Sequence, residues 1–257
     1  MNKINLKDCT FIVPVKLESE DRIRNSEIVL NFLNETFDTQ IIIYEFGTEK
    51  IPDIIDISSD NITYIKEESK DKEAFHRTAM LNKMIKMVNT KVVANYDVDV
   101  ILPIESYKKS IDKILNEKFD LIYPYGIGFY QKMVNTPKKE LISSKNIFES
   151  MNSNCILERA EVGHVQFFKT SSYIEGGMEN EGFVSYGPED KERAYRFEKL
   201  GFKVGRNEDP ENYVYHLEHE RSHDSNHLNP YFTKNFNLWN SIQKMNETEL
   251  KNYYQTK

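Results

Sequence analysis

Cysteine is nearly absent from this chain: Cys9 and Cys155 are the only two in 257 residues. Two thiols are too few for a disulfide framework or a thiolate zinc site. Long apolar runs are missing as well. None approaches the roughly 20 residues of a membrane span, and Met1 to Asp8 lack the apolar core of a signal peptide. A reducing cytoplasm is the expected setting, with peripheral contact at the inner face of a membrane left open. Positive charge is not in excess either. With 34 basic and 41 acidic residues the net charge is −7, which argues against a nucleic-acid partner. An anionic substrate would need a metal or a local basic cluster to offset that field.

What is present is an ordinary globular composition, 39% hydrophobic and 29% charged, long enough for one large core or two small ones. Fifteen tyrosines and fifteen phenylalanines suit a groove for flat, hydroxyl-rich ligands and equally suit a core. Strand-like runs at Thr10–Val15, Gln40–Glu45, Asn61–Ile65 and 91–96 alternate with helical spacing over 21–37 and 73–88. This alternation predicts an α/β fold with a mostly parallel, Rossmann-like central sheet flanked by helices. Pro103 is expected in the first turn of a helix reaching about 117, followed by a strand at Phe119–Tyr123. Residues 124–160 read as a polar, acceptor-facing excursion, helical around 137–151. Val165–Phe168 is a short strand, Pro188–Leu200 a helix capped by Gly201, and Phe202–Val204 and Tyr213–Tyr215 are late strands. Repeats and low-complexity linkers are absent. The simplest partition is one domain over 1–233, with halves meeting at about residue 122. A helical tail, 234–257, is expected to cover the sheet or dock a partner.

The chemistry concentrates in three places. Val92 to Tyr96 is an apolar run ending in Asp97-Val98-Asp99. Two carboxylates on one face of a strand repel unless a cation lies between them, and hard divalent ions take such oxygen ligands. The plain alternative is two solvated acids closing a strand. Second, His216, His219, His223 and His227 lie within twelve residues, and neutral imidazole ligates Mn²⁺ or Zn²⁺ well. The helical His-Glu-x-x-His spacing of zinc hydrolases is absent. Third, Tyr186-Gly187-Pro188-Glu189-Asp190 opens a helix with two acids. The helix dipole alone favours acids there; the functional reading is a general base aimed into a cleft.

The order of these motifs resembles the β-1,4-galactosyltransferase family and related GT-A enzymes of the chondroitin-polymerase and polypeptide N-acetylgalactosaminyl transferase type, over about residues 10–232. Val13-Pro14-Val15-Lys16 is similar to that family's Ile-Pro-Phe-Arg, and Phe75-His76-Arg77-Thr78-Ala79-Met80-Leu81-Asn82 to its Phe-Asn-Arg-Ala-x-x-Leu-Asn helix. Asp97-Val98-Asp99 precedes Pro103 with one extra residue. Tyr186 to Asp190 resembles Trp-Gly-Gly-Glu-Asp, with a following arginine at Arg193 or Arg196. His216-Leu217-Glu218-His219 ahead of Asn229-Pro230 resembles Met-x-x-His ahead of Asn-Pro.

The resemblance implies a metal-dependent inverting glycosyltransferase moving a hexose or N-acetylhexosamine from a UDP-sugar to a glycan or lipid-linked saccharide. It implies Mn²⁺, with Mg²⁺ as an alternative, on Asp99, His216 and His219. The nucleotide-sugar would meet Pro14, Lys16, Arg77, Asn82, Asp97, Gly163 and His164. The acceptor would meet Tyr186, Gly187 and Glu189, and Asp190 would be the base. Three departures leave the donor and acceptor open: Tyr186 for Trp, His216 for Met, and His164 where the family has a second glycine. The competing readings are a metal-dependent phosphoester hydrolase using the cluster from His216 to His227, and a non-catalytic nucleotide- or carbohydrate-binding module.

Overall fold

The computed structural model describes residues 3–47, 50–69, 74–220 and 228–255. Strand β1 (Ile4–Val15) is buried without a break from Cys9 to Val15. Helix α1 (Glu20–Thr36) follows, its start fixed by Ser19, whose hydroxyl accepts from the Arg22 backbone N–H at 3.2 Å. Next come β2 (Phe37–Phe46), the short α2 (Ile51–Ile54), β3 (Ile62–Glu67), α3 (Arg77–Ile85) and β4 (Val92–Tyr96). Helix α3 is shorter than its apolar spacing predicts, because residues 74–76 stay irregular and His76 is the residue before the first turn.

A two-residue strand, β5 (Val100–Ile101), comes directly after the paired aspartates, and α4 (Ile104–Leu115) follows it. Pro103 caps α4 from outside rather than sitting in its first turn. Beyond β6 (Leu121–Tyr123), the 124–160 stretch holds the expected helical part, α5 (Lys138–Ser143) and α6 (Ile147–Ser153). It also holds two strands that sequence reading missed, β7 (Gly128–Val134) and β8 (Cys155–Ala160). Strand β9 (Val165–Lys169), α7 (Thr170–Glu175), α8 (Glu189–Lys199), β10 (Val204–Arg206), β11 (Val214–Leu217), α9 (Phe232–Gln243) and α10 (Glu247–Gln255) complete the described chain. Strand β10 starts two residues later than expected because Gly201, at φ +81°, turns the chain and Phe202 folds back onto Phe197, ring centroids 4.8 Å apart. That is the apolar contact of a helix-closing turn.

The main sheet runs β10-β6-β9-β4-β1-β2-β3. It is parallel except at β9, which is antiparallel to both β4 and β6, so the α/β, mostly parallel expectation holds. A second sheet, β5-β11-β7-β8, stands beside it. Aromatic packing holds the two together where the site begins. Tyr96 and Tyr107 share a hydroxyl contact of 2.5 Å; Tyr96 also donates to the Val100 carbonyl at 2.9 Å, and the Leu102 N–H donates to Tyr107 at 3.1 Å. The turn carrying Asp97 and Asp99 is thereby pinned from below.

The tail does not cover the sheet. Ile242, Leu250 and Tyr254 form a separate apolar cluster with Phe183, against Tyr195 and Leu200, so α9 and α10 cover α8 and the loop before it. Among the described residues no helix is long and apolar enough to cross a membrane.

Candidate active site

Asp97 and Asp99 sit just past β4, at the edge of the sheet where open α/β folds bind ligands. The metal-type cluster is assembled by β5. It pairs antiparallel with β11, placing His216 opposite Val100, and the Leu217 N–H donates to the Asp99 carbonyl at 2.8 Å. His216 and His219 therefore converge on Asp99, and one ligand atom from each of the three lies within 4.8 Å of the others. His223 and His227 lie outside the described residues.

His219 is oriented for ligation. Its Nδ1 lies 2.9 Å from the Glu220 carbonyl, which can only accept, so the proton belongs on Nδ1. Its Nε2 then faces Asp99 Oδ2 at 3.1 Å. A lone pair and a carboxylate at that distance need a proton or a metal between them. Burial alone would lower the His219 pKa, but Asp99 outweighs it and raises it. Burial likewise pushes the Asp99 carboxyl up, and His216, His219 and Arg22 more than reverse this, holding it well below the ordinary range. Arg22, at the start of α1, donates to Asp99 Oδ2 at 2.7 Å. Sequence reading missed it, although Asp21-Arg22 follows the first strand and its turn, a position that open sheets use for ligands. One carboxylate and two imidazoles suit a divalent transition metal better than Mg²⁺, which prefers oxygen alone.

The opposite wall comes from α3 and α8. Arg77, the first residue of α3, donates Nη2 to Asn95 at 2.9 Å and to Asp97 at 2.7 Å. Its Nη1 is buried without a hydrogen-bond partner, as is Glu189 Oε2. An unsatisfied guanidinium N–H is costly to bury, and here the Asp190 carboxylate lies 4.0 Å from it. Asp190 accepts from Arg193 at 2.7 Å, while Arg193 also grips Glu179 at 2.7 Å with two nitrogens. Of the two candidate arginines, Arg193 is thus the one that holds Asp190; Arg196 binds Glu192 and the carbonyls of Gly176 and Met178. Burial raises the Asp190 carboxyl, but Arg193 and Arg77 overcome it and leave the group below its usual value. Glu189 goes the other way: burial first, then the charge of Asp190, push it up to about 8.

These residues line one cleft of about 330 Å³. It gathers Pro14, Lys16, Arg77, Asp97, Asp99, His164, Tyr186, Glu189, Asp190, His216 and His219, and adds Glu18, Arg22, Phe75 and Ser185, which sequence reading did not single out. Gly163 is beside it, since a side chain there would begin 3.4 Å from Asp190 Oδ2. His164 adopts φ +66°, its carbonyl accepts from the Asp97 N–H at 3.0 Å, and its ring stands 5.1 Å from that of His216. A non-glycine residue in that region stores strain of a kind concentrated at functional sites. Asn82 and Gly187 are not in the lining. Asn82 is buried and clamps Glu179 and Glu181, and Gly187 packs against Asn235.

No family model and no curated protein sequence matches the chain. Solved structures do. The crystal structure of GalNAc-T7 with UDP, GalNAc and Mn²⁺ aligns with a TM-score of 0.59 at 12% identity, over 91% of this chain and 47% of that one. The catalytic domain of Drosophila β1,4-galactosyltransferase 7, in complex with xylobiose, aligns over 83% of this chain and 71% of that one, at TM-score 0.47 and 14% identity. The mannosyltransferase PcManGT from Pyrobaculum calidifontis, in complex with GDP-Man and Mn²⁺, aligns over 82% and 56%, at TM-score 0.47 and 12% identity. The chain spans about half the length of the GalNAc-T7 structure. Its fold is that of the GT-A type glycosyltransferases.

Proposed function

We propose that this chain is a metal-dependent, inverting glycosyltransferase that moves a hexose or N-acetylhexosamine from a UDP-sugar to a glycan hydroxyl. The observation that carries the reading is the make-up of one cleft. A carboxylate–imidazole cluster lines it together with an acid pair and Arg77, one nitrogen of which makes no hydrogen bond. The fold shared with a UDP- and Mn²⁺-bound transferase supports it.

Asp99, His216 and His219 would hold Mn²⁺, which would offset the negative charge developing on the departing diphosphate. Arg77, which lines the cleft and whose Nη1 makes no hydrogen bond and lies 4.0 Å from Asp190 Oδ1, would bind the nucleotide-sugar. Lys16 and Pro14 line the same cleft. Asp190 is ionised, with Oδ1 committed to Arg193. Its other oxygen is left to take the proton of an attacking hydroxyl. A single base with no covalent intermediate gives inversion at the sugar carbon. Glu189, kept protonated near neutral pH, can donate a hydrogen bond to an acceptor hydroxyl, with Tyr186 supplying an aromatic platform.

Calorimetric titration of UDP with and without Mn²⁺ tests this. UDP should bind in a metal-dependent way. Asp99→Ala should lose that dependence. Asp190→Asn should keep UDP binding and lose about 10²–10⁴-fold in UDP-sugar turnover, the usual contribution of a general base. No binding of UDP under either condition would remove the proposal, and near-normal turnover in Asp190→Asn would place the base elsewhere.

A further inference from the structure

Tyr186 projects at the mouth of the cleft, with 37% of its surface exposed, and it heads a row. Its ring lies 5.7 Å from that of Phe232 with an interplanar angle of 21°. Phe232 lies 6.1 Å from Phe236 at 27°. Phe232 and Phe236 are four residues apart on α9, hence on one face, and Phe236 is 46% exposed. Near-parallel aromatic rings thus run outward from the cleft along the helix.

The loop bearing the first ring is held to this helix by polar clamps. Asn235 donates to the carbonyls of Val184 at 2.7 Å and Tyr186 at 2.9 Å. Asn229 donates to the Ser185 hydroxyl at 2.8 Å, while Ser185 sits at φ +55°. Two side chains of the C-terminal segment therefore hold a strained residue so that Tyr186 stacks at the head of the row.

We propose that this row is an extended acceptor site for a glycan of three or more sugar units. The unit to be glycosylated stacks at Tyr186 and the next ones pass over Phe232 and Phe236. The proposal rests on the glycosyltransferase reading of the cleft. A pyranose has an apolar C–H face and a hydroxyl rim. An aromatic ring takes the face and leaves the rim in water, giving large contact area without buried polar groups. Successive rings, each about a sugar's width from the last, match successive units of a chain. The row also starts at a residue that lines the cleft, where the reacting hydroxyl must be. A second copy of the chain is a poorer occupant. Three rings flanked by exposed Thr233, Lys234 and Asn237 fall far short of the roughly 800 Å² per partner of a stable interface.

The test is calorimetry of the full chain with UDP and Mn²⁺, titrating chito-, xylo- and malto-oligosaccharides from mono- to pentasaccharide. At least one series should gain about threefold to tenfold in affinity per added unit up to the trisaccharide. Phe236→Ala should abolish the last of these gains. No gain with length in any series overturns the proposal, as does a gain that survives Phe236→Ala. Conversion of a dimer to a monomer by Phe236→Ala would assign the row to a subunit contact and overturn it too. UDP affinity in the same samples separates the two readings. Lost UDP binding in the unaltered chain would mean that the cleft itself was misread, whereas retained UDP binding with flat oligosaccharide affinity would refute the aromatic row alone.

Discussion

Arg193 spends its positive charge on Asp190 and Glu179, and Glu189 is left with a buried oxygen that no protein group satisfies. Adjacent carboxyls thus have opposite protonation at neutral pH, a division that acid–base sites use repeatedly. The Glu189 proton has a thermodynamic signature. Its ordinary value is 4.5 and the fold raises it to about 8. Between those limits the folded chain keeps a proton that the unfolded chain has lost, so stability falls as pH rises through that window. Glu189→Gln cannot titrate and should flatten this part of a melting-temperature profile taken without metal or nucleotide. An unchanged slope would mean that the carboxyl is ionised in the fold. The residues of this site were legible where chemistry is written as spacing: Asp97 and Asp99 at i and i+2, Glu189 and Asp190 after a proline, His216 and His219 after a strand. Arg22 was not, because a guanidinium in an early helix looks like any solvated charge until the fold brings it 2.7 Å from Asp99.

At the scale of elements, the decisive ones are small. Strand β5 is two residues long, yet its pairing with β11 is what delivers the histidines. Its two apolar residues were assigned to no element, because so short a run carries no period. Strands β7 and β8 were illegible for a related reason. Ile156 and Leu157 are exposed on β8, an edge strand of the second sheet, so the inside–outside alternation is lost. By contrast the buried runs Cys9–Val15 of β1, Ile41–Phe46 of β2 and all of β4 were legible as strands, while the starts of β1 from Ile4 and of β2 from Phe37, where buried and more exposed residues mix, were not. The loop between α7 and α8 depends on helix α9. A methyl group on Gly187 would fall 2.8 Å from Asn235 Cβ and Nδ2, and Asn235 is the residue that ties this loop down. Gly187→Ala should therefore destabilise by about 1–3 kcal/mol and displace Tyr186. Thermal melts should show the loss while UDP affinity stays normal; an unshifted melt would mean that the loop adapts freely.

For the whole molecule, the question is whether residues 234–257 are an appendage to a 1–233 domain. The contacts argue that they are part of it. The Tyr254 hydroxyl donates to Glu192 at 2.6 Å and accepts from Asn180 at 2.8 Å, and its ring lies 4.2 Å beneath the Arg196 guanidinium. Arg196 and Glu192 are fully buried ion-pair partners on α8. Buried charges of this kind are tolerated only while their other hydrogen bonds are met, and the tail meets one of them. Helix α8 in turn begins with Glu189 and Asp190, so loosening the tail loosens the acid pair. Leu250 is fully buried in this cluster, and Leu250→Ala should cost about 2–5 kcal/mol. If the tail were an appendage, unfolding would become biphasic, with a small early transition and an unmoved main melt. An integral tail instead shifts one cooperative transition downward, and differential scanning calorimetry on this single variant distinguishes the two.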